Sequence, residues 1–508
     1  MRIKNLMRNS FFSVLSQLVL IGFGFFSNRV LNLMLGEALV GLNGVVSNII
    51  SILSVTELGI AAAIVYNLYR ALAEQDECQI AGLMNLYRKA YGVFAAIISG
   101  LGLAILPFLG YFLKDNPFTP GYVRLIYLLW LARTVLSYLL SYRRSLLIAD
   151  QREYIVSITT LLVNALNYSV VIAIVSLTKN YALALAINII VEAAGNLWIS
   201  YYVNRKYPFL KQLRRQNVDE AVRANVFHNI KNIFVVRLAT KLLTTTDNVI
   251  VSSFIGVAFA GRYSNYCLIT NAINNISLSL AGSIQAGMGT VLAGKDYRRG
   301  EGMLRMSTFL FFLMAASAGC GVYAAAEPFV GDLWLGKGYL LGRPVVGACA
   351  ANLFLIIVST PVGMAMGVSG LFEQERNLAV FSAILNMLLS LGMVKRWGIF
   401  GVLAGTFAAY FVQLCYRTYV FYRMCIDSSM RGYVTELIQY LMLGTAELML
   451  VRMISDAVYG SGGVWRFLLL CLVSAGLPLA LNLIVYCKSE RLRSMFSLVF
   501  GKLRRQNG

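Results

Sequence analysis

The chain is 508 residues long, 58% hydrophobic and 13% charged, with a mean hydropathy of +0.69. Soluble domains carry roughly half apolar and a quarter charged residues, so this composition excludes an ordinary water-soluble enzyme. Lys plus Arg number 44 against 23 Asp plus Glu, a net charge of +21. In a soluble chain that excess points to nucleic acid; in one this apolar it marks cytoplasmic loops and anionic headgroups, and no nucleic-acid partner is expected.

A membrane-crossing helix needs about 20 apolar residues, and the apolar runs recur at a spacing that accommodates about fourteen of them. They fall near 11–35, 39–69, 90–113, 122–147, 154–177 and 181–203. After a polar segment, a second series lies near 226–255, 259–290, 303–327, 343–369, 377–394 and 398–424, and a final pair near 433–457 and 464–487. The expected fold is all-α and polytopic, in two pseudo-symmetric six-helix lobes plus a helix pair. The N-lobe is 1–203 (spans 1–6), the cytoplasmic linker 204–224, the C-lobe 225–424 (spans 7–12), the helix pair 433–487 (spans 13–14), and a basic amphipathic C-terminal helix 488–508.

Arg2, Lys4 and Arg8 precede Phe11, but no small-residue cleavage site follows, so the first run is an uncleaved span. Starting inside, the loops and tails on one side hold about 28 Lys/Arg and those on the other about 8, which places both termini in the cytoplasm. No outer loop exceeds roughly twenty residues, too few for a folded domain. At the far end Leu492, Met495, Phe496, Val499, Phe500 and Leu503 keep a helical period among Lys488, Arg491, Arg493, Lys502, Arg504 and Arg505, the pattern of a helix lying on an anionic leaflet. The eight cysteines show no CxxC spacing; Cys267, Cys320, Cys349, Cys415 and Cys471 lie in apolar runs as small buried hydrophobes.

The two lobes can be aligned at their second spans. Leu35–Asn43 is LGEALVGLN and Ile255–Arg262 is IGVAFAGR, so Gly36, Ala38 and Gly41 match Gly256, Ala258 and Gly261 at one constant offset. An even number of spans separates them, the signature of parallel repeats.

No GxxxxGK[ST] loop is present, and the single histidine, His228, has no acidic neighbour; no cofactor and no metal site are expected. The informative residues are polar stripes within spans. On the seventh, Arg237, Lys241, Thr244 and Asn248 share a face, with Thr240 and Asp247 flanking them. Such cations either line a watery cavity and meet an anion, or pair internally with Asp247 or another residue. On the eighth, Ser264, Asn271, Asn275 and Gly282 share a face, with Asn274 beside it, suited equally to sugar hydroxyls and to helix packing. The first span contributes Gln17, Gly24, Asn28 and Arg29, and the second Asn43, Ser47, Ser54 and Glu57. Arg133 and Glu192 lie mid-span, Glu192 between Asn188 and Asn196. Arg133 forms an ion pair with Glu192 or Glu57, or else a carboxylate among Glu57, Glu192 and Asp247 takes up a coupling ion. Glu447, Arg452 and Asp456 on the thirteenth span compensate one another, which suits a packing role.

LGEALVGLN, TELGIAAAIVYNLYRALA (Thr56–Ala73), KYPFL (Lys206–Leu210), TTDNVIVSSFIG (Thr245–Gly256) and AGRYSNY (Ala260–Tyr266) resemble the polysaccharide transport branch of the multidrug/oligosaccharidyl-lipid/polysaccharide exporter superfamily. The resemblance implies two six-helix lobes around a cavity open alternately to either side. It implies as cargo an undecaprenyl-pyrophosphate-linked sugar repeat unit, moved from the inner to the outer leaflet. Arg29, Arg133, Arg237 and Lys241 are the positions it suggests for pyrophosphate binding, and the final helix pair resembles the element that in the lipid II flippase branch forms a groove for the prenyl tail.

The expected function is therefore a flippase for a lipid-linked oligosaccharide in surface polysaccharide biosynthesis, located in the bacterial cytoplasmic membrane and not an enzyme. The expected substrate-facing set is Arg29, Arg133, Arg237, Lys241, Asn248, Asn271 and Asn275. Expected partners are the lipid-linked oligosaccharide, anionic lipids, a polysaccharide polymerase and glycosyltransferases. The competing readings are a drug/cation antiporter of the same superfamily, which favours an acidic, aromatic cavity, and a membrane glycosyltransferase or polymerase, which favours a large outer loop or an acidic cluster.

Overall fold

The computed structural model describes residues 2–54, 68, 71–72, 74–150, 152–213, 220–293, 296–426, 428–459, 463–487 and 489. Glu57, most of the second half of span 2 and all but Ser489 of the basic helix expected at 488–508 lie outside the described residues, as do the side chains of 2–18 and 220–234, including Gln17 and His228. Among the described residues there is no strand, and the chain forms two compact units, 1–264 and 265–508.

The first unit contains α1 (Arg2–Leu35), α2 (Glu37–Leu53), α3 (Glu77–Ile105, continued by a 3₁₀ turn to Phe112), α4 (Pro120–Ser141), the short α5 (Arg144–Ala149), α6 (Glu153–Thr178), α7 (Tyr181–Lys206), the one-turn α8 (Phe209–Gln212), α9 (Glu220–Phe254) and the first residues of α10 (Val257–Ala293). Local chemistry sets several starts. The Asp76 side chain accepts from the Gln79 N–H at 2.9 Å, and Asn180 accepts from Leu183 at 3.1 Å. Thr119 caps Tyr122 at 3.4 Å, with Pro120 occupying the first helical position, where a missing N–H costs nothing. α1 packs on α6, α6 on α7, α7 on α4 and α9 on α2.

The second unit holds the rest of α10, α11 (Tyr297–Pro328, followed by a π turn Phe329–Trp334), α12 (Arg343–Val368), α13 (Phe372–Cys425), α14 (Arg431–Tyr459) and α15 (Val464–Val485). The apolar stretches of α11 and α12 are 61% and 67% buried, those of the other membrane-length helices a third or less, so these two form the unit's centre. α14 and α15 close against α11. Phe312 stacks on Tyr440 at 4.3 Å, the Tyr433 and Thr308 hydroxyls bond at 2.9 Å, and Arg305 holds Glu301 and Glu436 at 2.7 and 2.8 Å. Exposed Met442, Met449, Met453, Leu472 and Ile484 give α14 and α15 the lipid-facing exterior that a bilayer requires.

Among the described residues, nine helices are long and apolar enough to cross a membrane, with Val19–Leu35 and Glu37–Leu53 as shorter apolar helices. The protein is thus an all-helical, multi-pass membrane protein. Spans 11 and 12 are the two arms of α13, which reverses at Gly398, where φ of +59° and ψ of −138° would strain a side chain; across the hairpin Ser390 donates to the Val402 carbonyl at 3.2 Å and Thr406 to Asn386 Oδ1 at 3.3 Å. α9 is more polar than these membrane-length helices, and α9 and α10 carry the polar stripes.

Two details correct the expectations. Asp456 pairs with Arg343 across helices at 2.5 Å, and Glu447 is buried beside Asn482, so the charges of α14 do not compensate one another. Cys415 is exposed, while Cys320 and Cys349 are buried.

Candidate functional site

The matched glycine motifs meet each other. Gly36 and Gly256 adopt φ of +84° and +146° immediately before α2 and α10, turns that favour glycine. A Cβ on Gly41 would fall 1.9 Å from the Val257 carbonyl oxygen and 2.9 Å from the Gly261 nitrogen. One on Gly261 would fall 2.0 Å from the Glu37 carbonyl oxygen and 3.0 Å from the Gly41 nitrogen. Residue 257 is the repeat counterpart of 37, and 261 of 41, so the contact is reciprocal, as in a two-fold interface. Beside it Arg262 clasps Glu37 with two bonds, 2.6 and 2.8 Å. The Lys114 carbonyl accepts from the Val257 N–H at 3.0 Å and the Lys114 ammonium donates to the Phe254 carbonyl at 3.0 Å, tying the end of α9 to the α3–α4 connection.

Below this crossing lies a polar core. Asn43 Oδ1 accepts from Trp130 Nε1 at 2.8 Å and from the Tyr181 hydroxyl at 2.6 Å. Arg133 donates to Glu192 at 2.6 Å, and its guanidinium lies 5.1 Å from the Trp130 ring centre. Both charges lie about 17–20 Å along their helices from Tyr181 and Pro120, at a rise of about 1.5 Å per residue, so the partners sit at matching heights. Tyr168, stacked on Phe23 of α1, neighbours the same arginine. Asn167, Asn188 and Asn196 are buried around it. The sequence named the Arg133–Glu192 pair as one of two choices. It did not single out Trp130, Tyr181 or the Glu37–Arg262 clasp, although Glu37 and Arg262 stand inside the two motif copies.

The α9 stripe divides in two. At its Phe254 end it is packed: Asn248 is buried and donates to Ser264 at 2.9 Å beneath Gly44, while Asp247 and Thr245 are buried too. Farther along, Arg237, Thr240 and Thr244 are exposed and Lys241 is half-buried, on a face away from buried Ala239 and Leu243. Arg237 and Lys241 lie about 26 and 20 Å from Phe254 along the axis, at a rise of about 1.5 Å per residue. Neither has an ion-pair partner among the described residues, and the exposed Arg29 on α1 has none either. By contrast Arg133, Arg262, Arg305 and Arg417 each hold a carboxylate. In the second unit, Asn271 and Asn275 are exposed on α10.

That unit also holds an apolar recess of about 160 Å³ where α14 meets α11, α12 and α13. Gly319, Cys320, Ala351, Phe354, Phe407 and Gly444 line it. A Cβ on Gly444 would fall 2.8 Å from the Phe354 ring, so glycine lets α14 approach.

An all-helical bundle with membrane-length helices and cations on a polar helix defines a class of polytopic membrane protein. The chain belongs to the polysaccharide biosynthesis protein family, whose sequence pattern matches residues 6–284. No curated protein matches the sequence. Its fold is that of MOP-superfamily transporters. It is similar to the lipid II flippase MurJ in an inward closed conformation, at 12% identity and TM-score 0.66, covering 94% of this chain and 99% of that one. It is also similar to an inward-facing multidrug resistance MATE transporter of the MOP superfamily, at 12% identity and TM-score 0.65, covering 83% and 100%. A MOP-superfamily transporter from Pyrococcus furiosus, described as having a binding pocket of reverse polarity, matches at 15% identity and TM-score 0.54, covering 82% and 94%.

Proposed function

We propose that the protein is a flippase that carries a polyprenyl-pyrophosphate-linked oligosaccharide repeat unit across the cytoplasmic membrane by alternating access. The supporting observation is that Arg237 and Lys241, within the seventh apolar run, lack a carboxylate among the described residues. Facing lipid, a cation costs about 2.5–3.5 kcal/mol at the bilayer centre and less toward an interface, so a face carrying two of them belongs to a hydrated path. A diphosphate needs its lost hydration replaced, and an arginine fork with a lysine does that.

In this reading Arg237, Lys241 and Arg29 receive the pyrophosphate. Arg133 is held by Glu192 and serves the scaffold, and buried Asn248 positions the stripe. The motif repeat and its reciprocal crossing support two parallel six-helix lobes, 1–203 and 225–424, with linker 204–224. The apolar recess on α14 suits a segment of the prenyl tail, which stays out of water throughout. The family supports polysaccharide biosynthesis as the context. A cation antiporter is disfavoured because Glu37 and Glu192 are each committed to an arginine.

The test is export of surface polysaccharide by Arg237→Ala, Lys241→Ala and the double variant at normal protein level. Export should drop at least tenfold in the double variant, the scale of one lost charge-assisted contact of about 1.5–3 kcal/mol. Undiminished export in all three removes the proposed pyrophosphate site.

A further inference from the structure

The end of the first unit that carries α8 contains a second polar feature, a cavity of about 380 Å³. Asn85 and Arg88 of α3 line it, with Tyr142 and Arg143 just past α4 and Asn204 near the end of α7. It lies at helix ends, where headgroups begin, and on the face that the Lys/Arg distribution assigns to the cytoplasm.

Its charge is one-sided. Among the described residues no carboxylate lines it. Arg88 donates to the Asn85 side-chain oxygen at 3.0 Å, and Arg143 donates to the Ser200 carbonyl at 3.3 Å with its guanidinium 5.3 Å from the Tyr142 ring centre. These partners are neutral: they orient two forks without discharging them, and each guanidinium keeps about four of its five N–H groups. Asn204 has no hydrogen-bond partner among the described residues. The nearby carboxylate on this face, Asp150, is occupied by Arg152 at 2.8 Å, Lys206 at 3.4 Å and the Tyr207 hydroxyl at 2.5 Å. Burial and the Asp150 charge push the Tyr207 phenol up, so it remains a donor to Asp150. Glu77, one turn before Ala81 on α3, is exposed beyond the cavity wall.

We infer that this cavity is a phosphate-binding site in which Arg88 and Arg143 grip the oxygens and Asn204 adds a donor. Paired guanidiniums with neutral neighbours match the planar, bidentate recognition of phosphate. The phosphate belongs to an anionic phospholipid headgroup or to a soluble diphosphate. The site does not depend on the flippase reading, because it involves none of the residues assigned to the cargo.

The test uses the purified full chain, with Arg88→Gln/Arg143→Gln, Arg88→Lys/Arg143→Lys and Asn204→Leu as variants. One arm titrates sodium pyrophosphate and follows the thermal midpoint, which rises with occupancy of a native-state site. The other measures by native mass spectrometry how much phosphatidylglycerol is retained from mixed phosphatidylglycerol/phosphatidylcholine vesicles. Wild type should bind in at least one arm, the glutamine pair at least tenfold more weakly in that arm, and the lysine pair and Asn204→Leu in between. Response to pyrophosphate alone identifies a soluble ligand, and retention of phosphatidylglycerol alone a lipid. Binding by the glutamine pair equal to wild type, or no binding by wild type in either arm, overturns the site. Asn204→Leu keeps both arginines and decides the matter should the glutamine pair not fold.

Discussion

Arg133 and Arg262 differ from Arg237 and Lys241 in one respect that separates architecture from function. The first two hold carboxylates, Glu192 and Glu37, each at 2.6 Å, with an aromatic ring against the guanidinium. The other two, exposed and half-buried, stand on one face of α9 with no such partner among the described residues. A cation answered by its own chain stabilises the bundle, whereas one left unanswered is kept for something that comes and goes. The paired set clusters beside the reciprocal glycine crossing, so the rigid part of the first unit can be separated by mutation from the part proposed to meet cargo.

The largest effect should come from the crossing itself. In Gly41→Ala the added Cβ would fall 1.9 Å from the Val257 carbonyl oxygen, and a backbone atom cannot swing aside as a side chain would. α2 and α10 would have to separate, undoing the Arg262–Glu37 clasp as well. We expect a loss above about 4 kcal/mol, in the tail reserved for such overlaps, seen as failure to accumulate in the membrane. Gly22→Ala is the control, because its Cβ meets nothing within 4 Å and alanine favours the helix. Normal accumulation and melting of Gly41→Ala would mean that the crossing does not hold the unit together.

Next in size is the paired cation. Glu192→Ala leaves Arg133 with a ring and no carboxylate. The pair is about a quarter exposed (24% and 22%), so its loss should cost about 2–4 kcal/mol, somewhat below the figure for a fully buried pair. The double variant Glu192→Ala/Arg133→Met should recover most of the thermal midpoint, because it removes the stranded charge. A Glu192→Ala protein that melts like wild type would place Arg133 among the unanswered cations and return it to the cargo-binding set.

How far the sequence foretold this depends on the kind of signal. Spans were legible because each is a run of about 20 apolar residues, a length that the bilayer imposes. The break between spans 11 and 12 was legible too, since Lys395, Arg396 and Gly398 interrupt the apolar run and the chain reverses at Gly398. The α9 stripe was visible as a periodic face, but its division into a packed end at Asn248 and an uncovered end at Arg237 depends on which neighbours cover it. Trp130 and Tyr181 sit in apolar runs and count there with the hydrophobic residues, which hid the ring around Asn43. The Glu37–Arg262 clasp joins residues 225 apart, and only the alignment of the two motif copies hints at it.

The smallest effect on stability is expected where the effect on transport is greatest. Arg237→Gln/Lys241→Gln removes two cations four residues apart on one helix face, and such like-charged neighbours repel by about 0.2–0.5 kcal/mol. No ion pair among the described residues is lost with them. The thermal midpoint of the purified double variant should therefore equal or slightly exceed that of wild type while polysaccharide export falls. A fall of more than about 1.5 kcal/mol, the net worth of an ordinary hydrogen bond, would show that these side chains are engaged within the folded chain. In that case they would belong with Arg133 and Arg262, and the loss of export in the alanine variants would report a damaged bundle instead of an emptied binding site.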